Sequence, residues 1–141
     1  MTAAASLAQK HGYLARVLAP WADRLAPVRS VPEAGRFGYR ERVTLSARWD
    51  AASGWRFGLV RRDELIPIHD CPVHAPRVNH LVACLRSRLP PATSLPLAYL
   101  HVSGGLATLV VKARAVEDGL LSSVIEAMTG SGFDGLWLHL H

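Results

Sequence analysis

Residues 42–49 read Arg-Val-Thr-Leu-Ser-Ala-Arg-Trp, and this stretch decides the fold. Its residues fall into two alternating sets, one apolar (Val43, Leu45, Ala47 and Trp49) and one polar or basic (Arg42, Thr44, Ser46 and Arg48). A period of two is what a β-strand with one buried face requires, because successive side chains point to opposite faces of a sheet. The sequence therefore predicts a strand with an apolar inner face and a basic outer face.

A hairpin is predicted directly after this strand. Residues 50–54 (Asp-Ala-Ala-Ser-Gly) have the composition of a turn, and residues 55–60 alternate again. In that return strand Arg56 points away from the apolar set, which is Trp55, Phe57 and Leu59. Further strands are predicted at 65–68, 97–103, 106–114 and 134–141, the middle two forming a second hairpin. Because tight hairpins connect antiparallel neighbours, these segments predict a mainly antiparallel sheet.

Three helices are predicted from apolar residues at helical spacing, over 3–26, 75–89 and 117–128. Pro20 should kink or split the first helix, because proline removes a backbone donor. Acidic residues in the first turn of the third helix agree with the helix dipole. We expect the apolar stripe of the first helix to be core; it consists of Leu7, Leu14, Val17, Leu18, Trp21 and Leu25.

The order of these elements predicts an α/β fold of the α+β type. We expect a mainly antiparallel sheet with helices packed on one face, preceded by an N-terminal helix. Residues 27–38 contain prolines and glycines typical of a linker, so we expect an N-terminal helical segment over 1–28 and a central α/β domain over 29–141. The last alternation stops at His141 without a turn or polar tail, which predicts a boundary inside a longer protein.

Composition excludes several classes of protein. Half of the 141 residues are hydrophobic, which is ample for a packed core. No apolar run approaches the ~20 residues that span a bilayer, and the N-terminus does not have the pattern of a secretory signal. We therefore expect a cytoplasmic protein without membrane contact. The two cysteines, Cys71 and Cys84, do not indicate a disulfide framework, and Cys84 is expected to be a small core residue.

The net charge of +5 is concentrated in one region. Eight of the 16 basic residues are arginines between positions 29 and 62: Arg29, Arg36, Arg40, Arg42, Arg48, Arg56, Arg61 and Arg62. Arginine suits bidentate phosphate contacts and stacking on bases, and Tyr39, Trp49 and Trp55 add aromatic surface. An RNA-contacting face and a solvated sheet face in an arginine-rich protein explain the pattern equally well.

Other chemistry has weaker support in the sequence. His69 and His74 lie on either side of Cys71, but their spacing matches no familiar zinc pattern, and ordinary turn residues are the better interpretation. Cys71 precedes a predicted helix, a position that can activate a thiol, yet no base or orienting group accompanies it. The chain contains no Gly-x-Ser-x-Gly elbow, P-loop or dinucleotide-binding glycine motif.

Three segments taken in order resemble the RNA uracil-5-methyltransferase family. They are residues 38–45 (Gly-Tyr-Arg-Glu-Arg-Val-Thr-Leu), 57–62 (Phe-Gly-Leu-Val-Arg-Arg) and 66–73 (Ile-Pro-Ile-His-Asp-Cys-Pro-Val), the last followed by a helix. Members of the family methylate C5 of a uridine in transfer or ribosomal RNA, using S-adenosylmethionine. The resemblance covers nearly the whole chain and implies the central region of such an enzyme, with the helix around residues 8–25 that precedes it and without the catalytic domain.

The resemblance also implies a set of roles. RNA, either rRNA or tRNA, and the missing catalytic domain of the parent enzyme are the implied partners. The implied RNA-binding residues are Tyr39, Arg40, Arg42, Arg48, Arg56, Arg61 and Arg62. No catalytic residue is implied, so methyl transfer by this chain alone is not expected. We expect no cofactor in this chain. In the full-length parent the resemblance implies S-adenosylmethionine and, in the branch of the family that holds one, a 4Fe-4S cluster.

Cys71 matches the last cluster cysteine of family members that hold a 4Fe-4S cluster. No cysteine precedes it, so the other three ligands are missing and Cys71 is expected to be a free thiol here. Two other functions remain open from the residues. In the first, the chain would be a stand-alone protein-interaction or structural module with a basic face. In the second, it would be a small enzyme that uses Cys71 and His69.

Overall fold

The computed structural model describes residues 2–32 and 35–141. Contacts divide the chain into two units, Met1–Arg36 and Phe37–His141. Of the linker predicted over 27–38, residues 33 and 34 lie outside the described residues. No helix in the described part of the chain is long and apolar enough to cross a membrane.

The first unit contains helix α1 (Ala3–Val17) and a 3₁₀ helix (Ala19–Arg24). The Thr2 side chain caps α1 by accepting a hydrogen bond from the Ala5 backbone N–H. Pro20 falls in the first turn of the 3₁₀ helix, so the predicted interruption is confirmed. The expected core role of the α1 stripe is wrong: Val17 and Trp21 are more than half exposed, and its other members are only partly buried.

The second unit contains an open sheet of six described strands. These are β1 (Arg42–Asp50), β2 (Gly54–Arg61), β3 (Glu64–Pro67), β4 (Leu97–Ser103), β5 (Leu106–Val111) and β6 (Gly135–Leu140). Their order across the sheet is β3-β2-β1-β4-β5-β6. Neighbours are antiparallel except for β5 and β6, which are parallel because a helical connection joins them. The predicted α/β fold with a mainly antiparallel sheet and an N-terminal helix is confirmed.

Two helices cover the inner face of this sheet, α2 (Pro76–Arg88) and α3 (Ser122–Met128). Alternate residues of the strands point toward them and form one core with them. From the strands this core takes Val43, Leu45, Ala47, Trp55, Phe57, Leu97, Leu100, Val102, Ala107, Leu109 and Val111; from the helices it takes Val78, Leu81, Val82, Leu85, Val124 and Met128. Trp55 also donates its indole N–H to the Pro90 carbonyl at 2.7 Å, so its polar atom is satisfied inside the core.

Three local predictions differ from the structure. Leu59 is 54% exposed, because it pairs with Ile66 near the sheet edge where the core contacts of α2 and α3 end. Trp49 is also partly exposed, although it contacts Trp55 edge-to-face. The third helix begins at Ser122 rather than near 117, since Gly119 has φ +79°, outside the helical region. Its first turn therefore contains no acidic residue.

A β-bulge in β4 redirects the strand. Leu97 pairs with Val111 and Tyr99 pairs with Val110, so the register shifts by one residue at Ala98. Leu97 and Ala98 are both buried, whereas Tyr99 points to the opposite side of the sheet. The extra residue lets the start of β4 stay in the core while Tyr99 faces outward.

Two glycine-to-alanine substitutions should have opposite effects on stability. A Cβ at Gly58 would lie 2.0 Å from the Ile66 carbonyl oxygen of β3, so Gly58→Ala must push the two strands apart. We expect it to lower the free energy of unfolding by roughly 2 kcal/mol or more. Gly12 in α1 has no neighbour within 4 Å, so Gly12→Ala should stabilise the helix by about 0.5–1 kcal/mol.

Urea unfolding followed by circular dichroism measures both changes. A Gly58→Ala protein as stable as the unsubstituted chain would contradict the close approach of β2 and β3.

Candidate nucleic-acid interface

The outer side of the sheet, away from α2 and α3, is the candidate interface. We call it the open sheet face, defined by the outward residues of the five strands β2, β1, β4, β5 and β6. In β1 these are Arg42, Thr44, Ser46, Arg48 and, at the end of the strand, Asp50, because Val43, Leu45 and Ala47 point into the core. Cross-strand partners share a face, so the pairing with β2 and β4 adds Arg56, Tyr99, His101 and Ser103. The pairings of β5 and β6 add Leu106, Thr108, Val110, Trp137 and His139.

Two arginines meet at one end of the open sheet face. Arg48 and Arg56 are direct cross-strand partners, and like charges in this arrangement repel each other. Their Cβ atoms lie about 5 Å apart in such a pair. The Nε atom of Arg56 is buried and has no hydrogen-bond partner. An anion held between the two guanidinium groups would offset the repulsion.

The carboxylate nearest this pair is already engaged. The side chain of Asp50 accepts hydrogen bonds from Ser53 N–H at 2.9 Å, Ser53 Oγ at 3.0 Å and Ala52 N–H at 3.0 Å. These bonds, the Ser53 backbone bond first, lower the pKa of Asp50, and the charge of Arg56 contributes less. Asp50 therefore closes the hairpin turn, and it forms no ion pair within 4.0 Å with either arginine.

The remainder of the open sheet face carries no other carboxylate among its outward residues. Where the structure describes the chain, the ion pairs within 4.0 Å are Arg77–Glu41 and Arg24–Asp23. Arg77 is further fixed by a 2.7 Å hydrogen bond to the Gly132 carbonyl, so it has a structural role. The arginines of the open sheet face form no such ion pair within the described residues, and Arg48 donates only a long 3.4 Å hydrogen bond to the Ala47 carbonyl.

Aromatic and imidazole side chains lie beyond the arginines on the open sheet face. Tyr99 is 46% exposed and Trp137 is 62% exposed. His101 shares a 2.8 Å hydrogen bond between its Nδ1 and Thr44 Oγ1, which fixes the ring across the β1–β4 pair. Exposed rings beside arginines are the combination that single-stranded nucleic acids bind by stacking and phosphate contact.

The other predicted RNA-binding residues lie elsewhere. Tyr39 and Arg40 are exposed in a segment that pairs with residues 72–75 through backbone hydrogen bonds. Gly38 N–H donates to Pro72 O at 2.8 Å, Arg40 N–H to Val73 O at 2.9 Å and Ala75 N–H to Arg40 O at 2.9 Å. The first and third family-like segments of the sequence are therefore adjacent in space.

Asn79 of α2 holds the loop that makes this pairing. Its side-chain amide donates to the Asp70 carboxylate and to the Cys71 carbonyl, and its oxygen accepts from Cys71 N–H at 3.3 Å. His74, on the same loop, is buried, and its Nδ1 has no hydrogen-bond partner. Burial lowers the pKa of His74, the Arg40 charge lowers it further, and Asn79 and Asp70 oppose the shift.

Arg61 and Arg62 lie at the tight turn between β2 and β3. Arg61 pairs with Glu64 and, by alternation from Phe57, falls on the inner side of the sheet. Arg62 has φ +56°, a left-handed conformation that is unfavourable for a residue with a side chain. The structure thus places Arg42, Arg48 and Arg56 on one face of the sheet, with Arg48 and Arg56 adjacent and Arg42 at the other end of β1. Tyr39, Arg40, Arg61 and Arg62 lie off that face.

The residues present do not fit an iron–sulfur cluster. The chain has two cysteines, and a 4Fe-4S cluster is held by four ligands. Cys71 is partly buried beside Asn79, and Cys84 is buried on α2, as expected for a core residue. No group of three or more potential metal ligands occurs within residues 2–32 and 35–141.

Sequence reasoning missed Tyr99, His101, Trp137 and His139 as interface residues. These residues alternate with apolar residues within 97–103 and 135–140, so the sequence indicated that they point away from the core. What the sequence lacked was the strand order, which places β4, β5 and β6 beside the basic strand β1.

Comparison with known proteins supports the fold. No family model matches the chain, and no curated protein sequence matches it significantly. Among solved structures it is similar to the tRNA (uracil-54, C5)-methyltransferase of Pyrococcus abyssi, in a crystal structure with S-adenosyl-L-homocysteine. The TM-score is 0.67 at 18% identity, and the match covers 100% of this chain and 35% of that one. This chain therefore has the fold of about a third of that enzyme.

The buried His74 predicts a pH dependence of stability. Since its pKa in the folded protein lies below the ordinary 6.5, the unfolded chain binds the proton more tightly. The contribution of neutral His74 to the free energy of unfolding is fully present above pH 6.5. It is lost as the pH falls toward the lower pKa of His74 in the folded protein. We expect the free energy of unfolding to decrease from about pH 7 to about pH 5, and His74→Gln to flatten this dependence.

The exposed His11 of α1 supplies the matched control, and His11→Gln should leave the slope unchanged. Equal slopes for the His74→Gln protein and the unsubstituted chain would rule out His74 as the titrating group.

Proposed function

We propose that this chain is the RNA-contacting central region of an S-adenosylmethionine-dependent RNA (uracil-C5) methyltransferase. In this proposal it holds the RNA and does not transfer the methyl group. The missing catalytic part would supply the cofactor site and the reacting groups. The target base would be extruded from the RNA toward that part while this region holds the backbone.

The observation that carries the proposal is the charge on the open sheet face. Arg42, Arg48 and Arg56 share this face, and within the described residues none of them forms an ion pair; Asp50, the carboxylate beside Arg56, is held in the hairpin turn. Placing Arg48 directly beside Arg56 costs stability in the free protein. A polyanion offsets that cost by neutralising both charges, which a neutral partner does not do.

The identity of the polyanion rests on two lines of support. The motif order from residue 38 to residue 73 resembles the RNA uracil-5-methyltransferases. The fold is shared with part of an enzyme that, by its name, modifies uracil 54 of tRNA and binds S-adenosyl-L-homocysteine. Transfer RNA is therefore the first substrate class to test, with ribosomal RNA as the second. A 4Fe-4S cluster is not part of the proposal for this chain, because Cys71 has no cysteine partners for it.

Tyr39, Arg40, Arg61 and Arg62 are proposed as secondary RNA contacts. All four are exposed, and none has an ion-pair partner within the described residues. They lie at the rim of the second unit, where they would contact RNA that extends past the open sheet face.

The second candidate function is a protein-interaction or structural module. The observation that favours it is exposed apolar surface on the helix side of the sheet, at Ile125 of α3 and at Leu138 and Leu140 of the edge strand β6. Leu59 and Ile66 are exposed at the opposite edge. Surface of this kind is typical of protein contacts. This function predicts binding of a protein partner and weak affinity for RNA.

Removal of arginines from the open sheet face tests the RNA proposal. Arg42→Ala and Arg48→Ala, singly and together, should weaken binding of a fluorescent tRNA uridine-loop hairpin. Each lost phosphate contact should reduce the slope of log affinity against log salt by about one, and the double variant should reduce it by about two.

Arg88→Ala is the matched control for the single variants. Arg88 is exposed in the last turn of α2, on the opposite side of the sheet, and its removal changes the net charge equally. It should leave the slope nearly unchanged. The proposal fails if the hairpin does not bind at low salt, or if Arg88→Ala and Arg48→Ala have equal effects.

A further inference from the structure

We infer that a single-stranded RNA segment lies across the open sheet face, with a phosphate at Arg48 and Arg56 and two bases stacked on Tyr99 and Trp137. This inference rests on the proposed function and goes beyond it. It specifies an unpaired strand, and it assigns base contacts to residues outside the arginine cluster.

The exposure of the two rings is the first argument. Trp137 is 62% exposed and Tyr99 is 46% exposed. Tyr99 projects from β4, whose other face is packed in the core, and Trp137 projects from the edge strand β6. Tyr99 faces outward by regular alternation with the buried Leu100 and Val102, and the β4 bulge lets Leu97 turn into the core. Open aromatic rings on a rigid sheet are ready to stack on bases without reorganisation.

The spacing of the rings is the second argument. Tyr99, Val110 and His139 are cross-strand partners and form one row across β4, β5 and β6. Trp137 lies in the neighbouring row with Thr108, two residues along β6 from His139. Two strand spacings and one step of two residues separate Tyr99 from Trp137, or about 12 Å along the sheet. One base cannot contact both rings at this separation, so each ring takes a different base.

The polar groups around the rings suit an unpaired strand. His101 lies next to Tyr99 along β4 and is oriented by Thr44, and His139 lies next to Trp137 along β6. These side chains offer hydrogen-bonding groups to the exposed edges of unpaired bases. In a duplex those edges are paired and the base faces are stacked on one another, so neither the rings nor the imidazoles would reach them.

The charge pattern favours RNA over a protein on this face. Arg42, Arg48 and Arg56 are the charged outward residues of the strand pairs, with Asp50 at the rim. This one-sided positive charge complements a phosphate backbone. The exposed apolar residues on the other side of the sheet do not carry such a charge pattern.

The test compares two exposed tryptophans. Trp137→Ala and Trp21→Ala remove rings of similar exposure, 62% and 56%, from the open sheet face and from the 3₁₀ helix of the other unit. The probe is a fluorescent uridine-rich single-stranded RNA of ten nucleotides, alone and annealed to its complement. We expect Trp137→Ala and Tyr99→Ala each to weaken binding of the single strand by roughly 5- to 100-fold, and Trp21→Ala to have no effect.

Two further readouts separate stacking from a general loss of structure. Trp137→Phe should recover most of the affinity, because a smaller ring still stacks. The aromatic variants should keep the salt slope of the unsubstituted chain, whereas Arg42→Ala/Arg48→Ala reduces it. The unsubstituted chain should prefer the single strand to the duplex.

The outcomes distinguish this inference from the proposed function. If the arginine variants weaken binding while Trp137→Ala and Tyr99→Ala match Trp21→Ala, the RNA function stands and the stacking inference is overturned. If neither set changes RNA binding, both fail. Self-association of the chain that is lost in Trp137→Ala, without RNA binding, would identify the face as a protein contact and also overturn the inference.

Discussion

The alternation of β1 is the constraint on which the rest of the structure depends. β1 lies between β2 and β4, so its two faces set the two faces of the whole sheet. Val43, Leu45 and Ala47 bind the inner face to the helices, and this fixes the register in which Arg42 and Arg48 face outward. A slip by one residue would bury the arginines and expose the core set, so folding itself enforces the basic face.

The elements with local signals were predictable from the sequence. The period of two in 42–49, the Asp50 turn and the break at Pro20 each act within a few residues. The sequence did not predict the parallel pairing of β6 or the bulge at Ala98, because both depend on which strands become neighbours. The late start of α3 follows from the backbone at Gly119, which an apolar pattern does not reveal.

The same distinction explains the candidate site. Arg42, Arg48 and Arg56 were predicted to share a face because one strand and its hairpin partner determine it. Tyr99 and Trp137 could not be added without the order of β4, β5 and β6. The family-like segments have a physical basis in the structure as well, since Gly38–Arg40 pairs with the loop after Cys71 and Gly58 allows β3 to approach β2. These segments build the frame, and the outward residues between them carry the proposed contacts.

The most direct test of this account is to map RNA contacts by nuclear magnetic resonance, which suits a 15.3 kDa chain. The amide spectrum would be followed as a uridine-rich single-stranded RNA is added. The account predicts the largest shift changes along the outward positions of β1, β4 and β6, including Thr44, His101 and Trp137, and small changes on α2. Shift changes centred on α2 and α3, with the open sheet face unaffected, would contradict it.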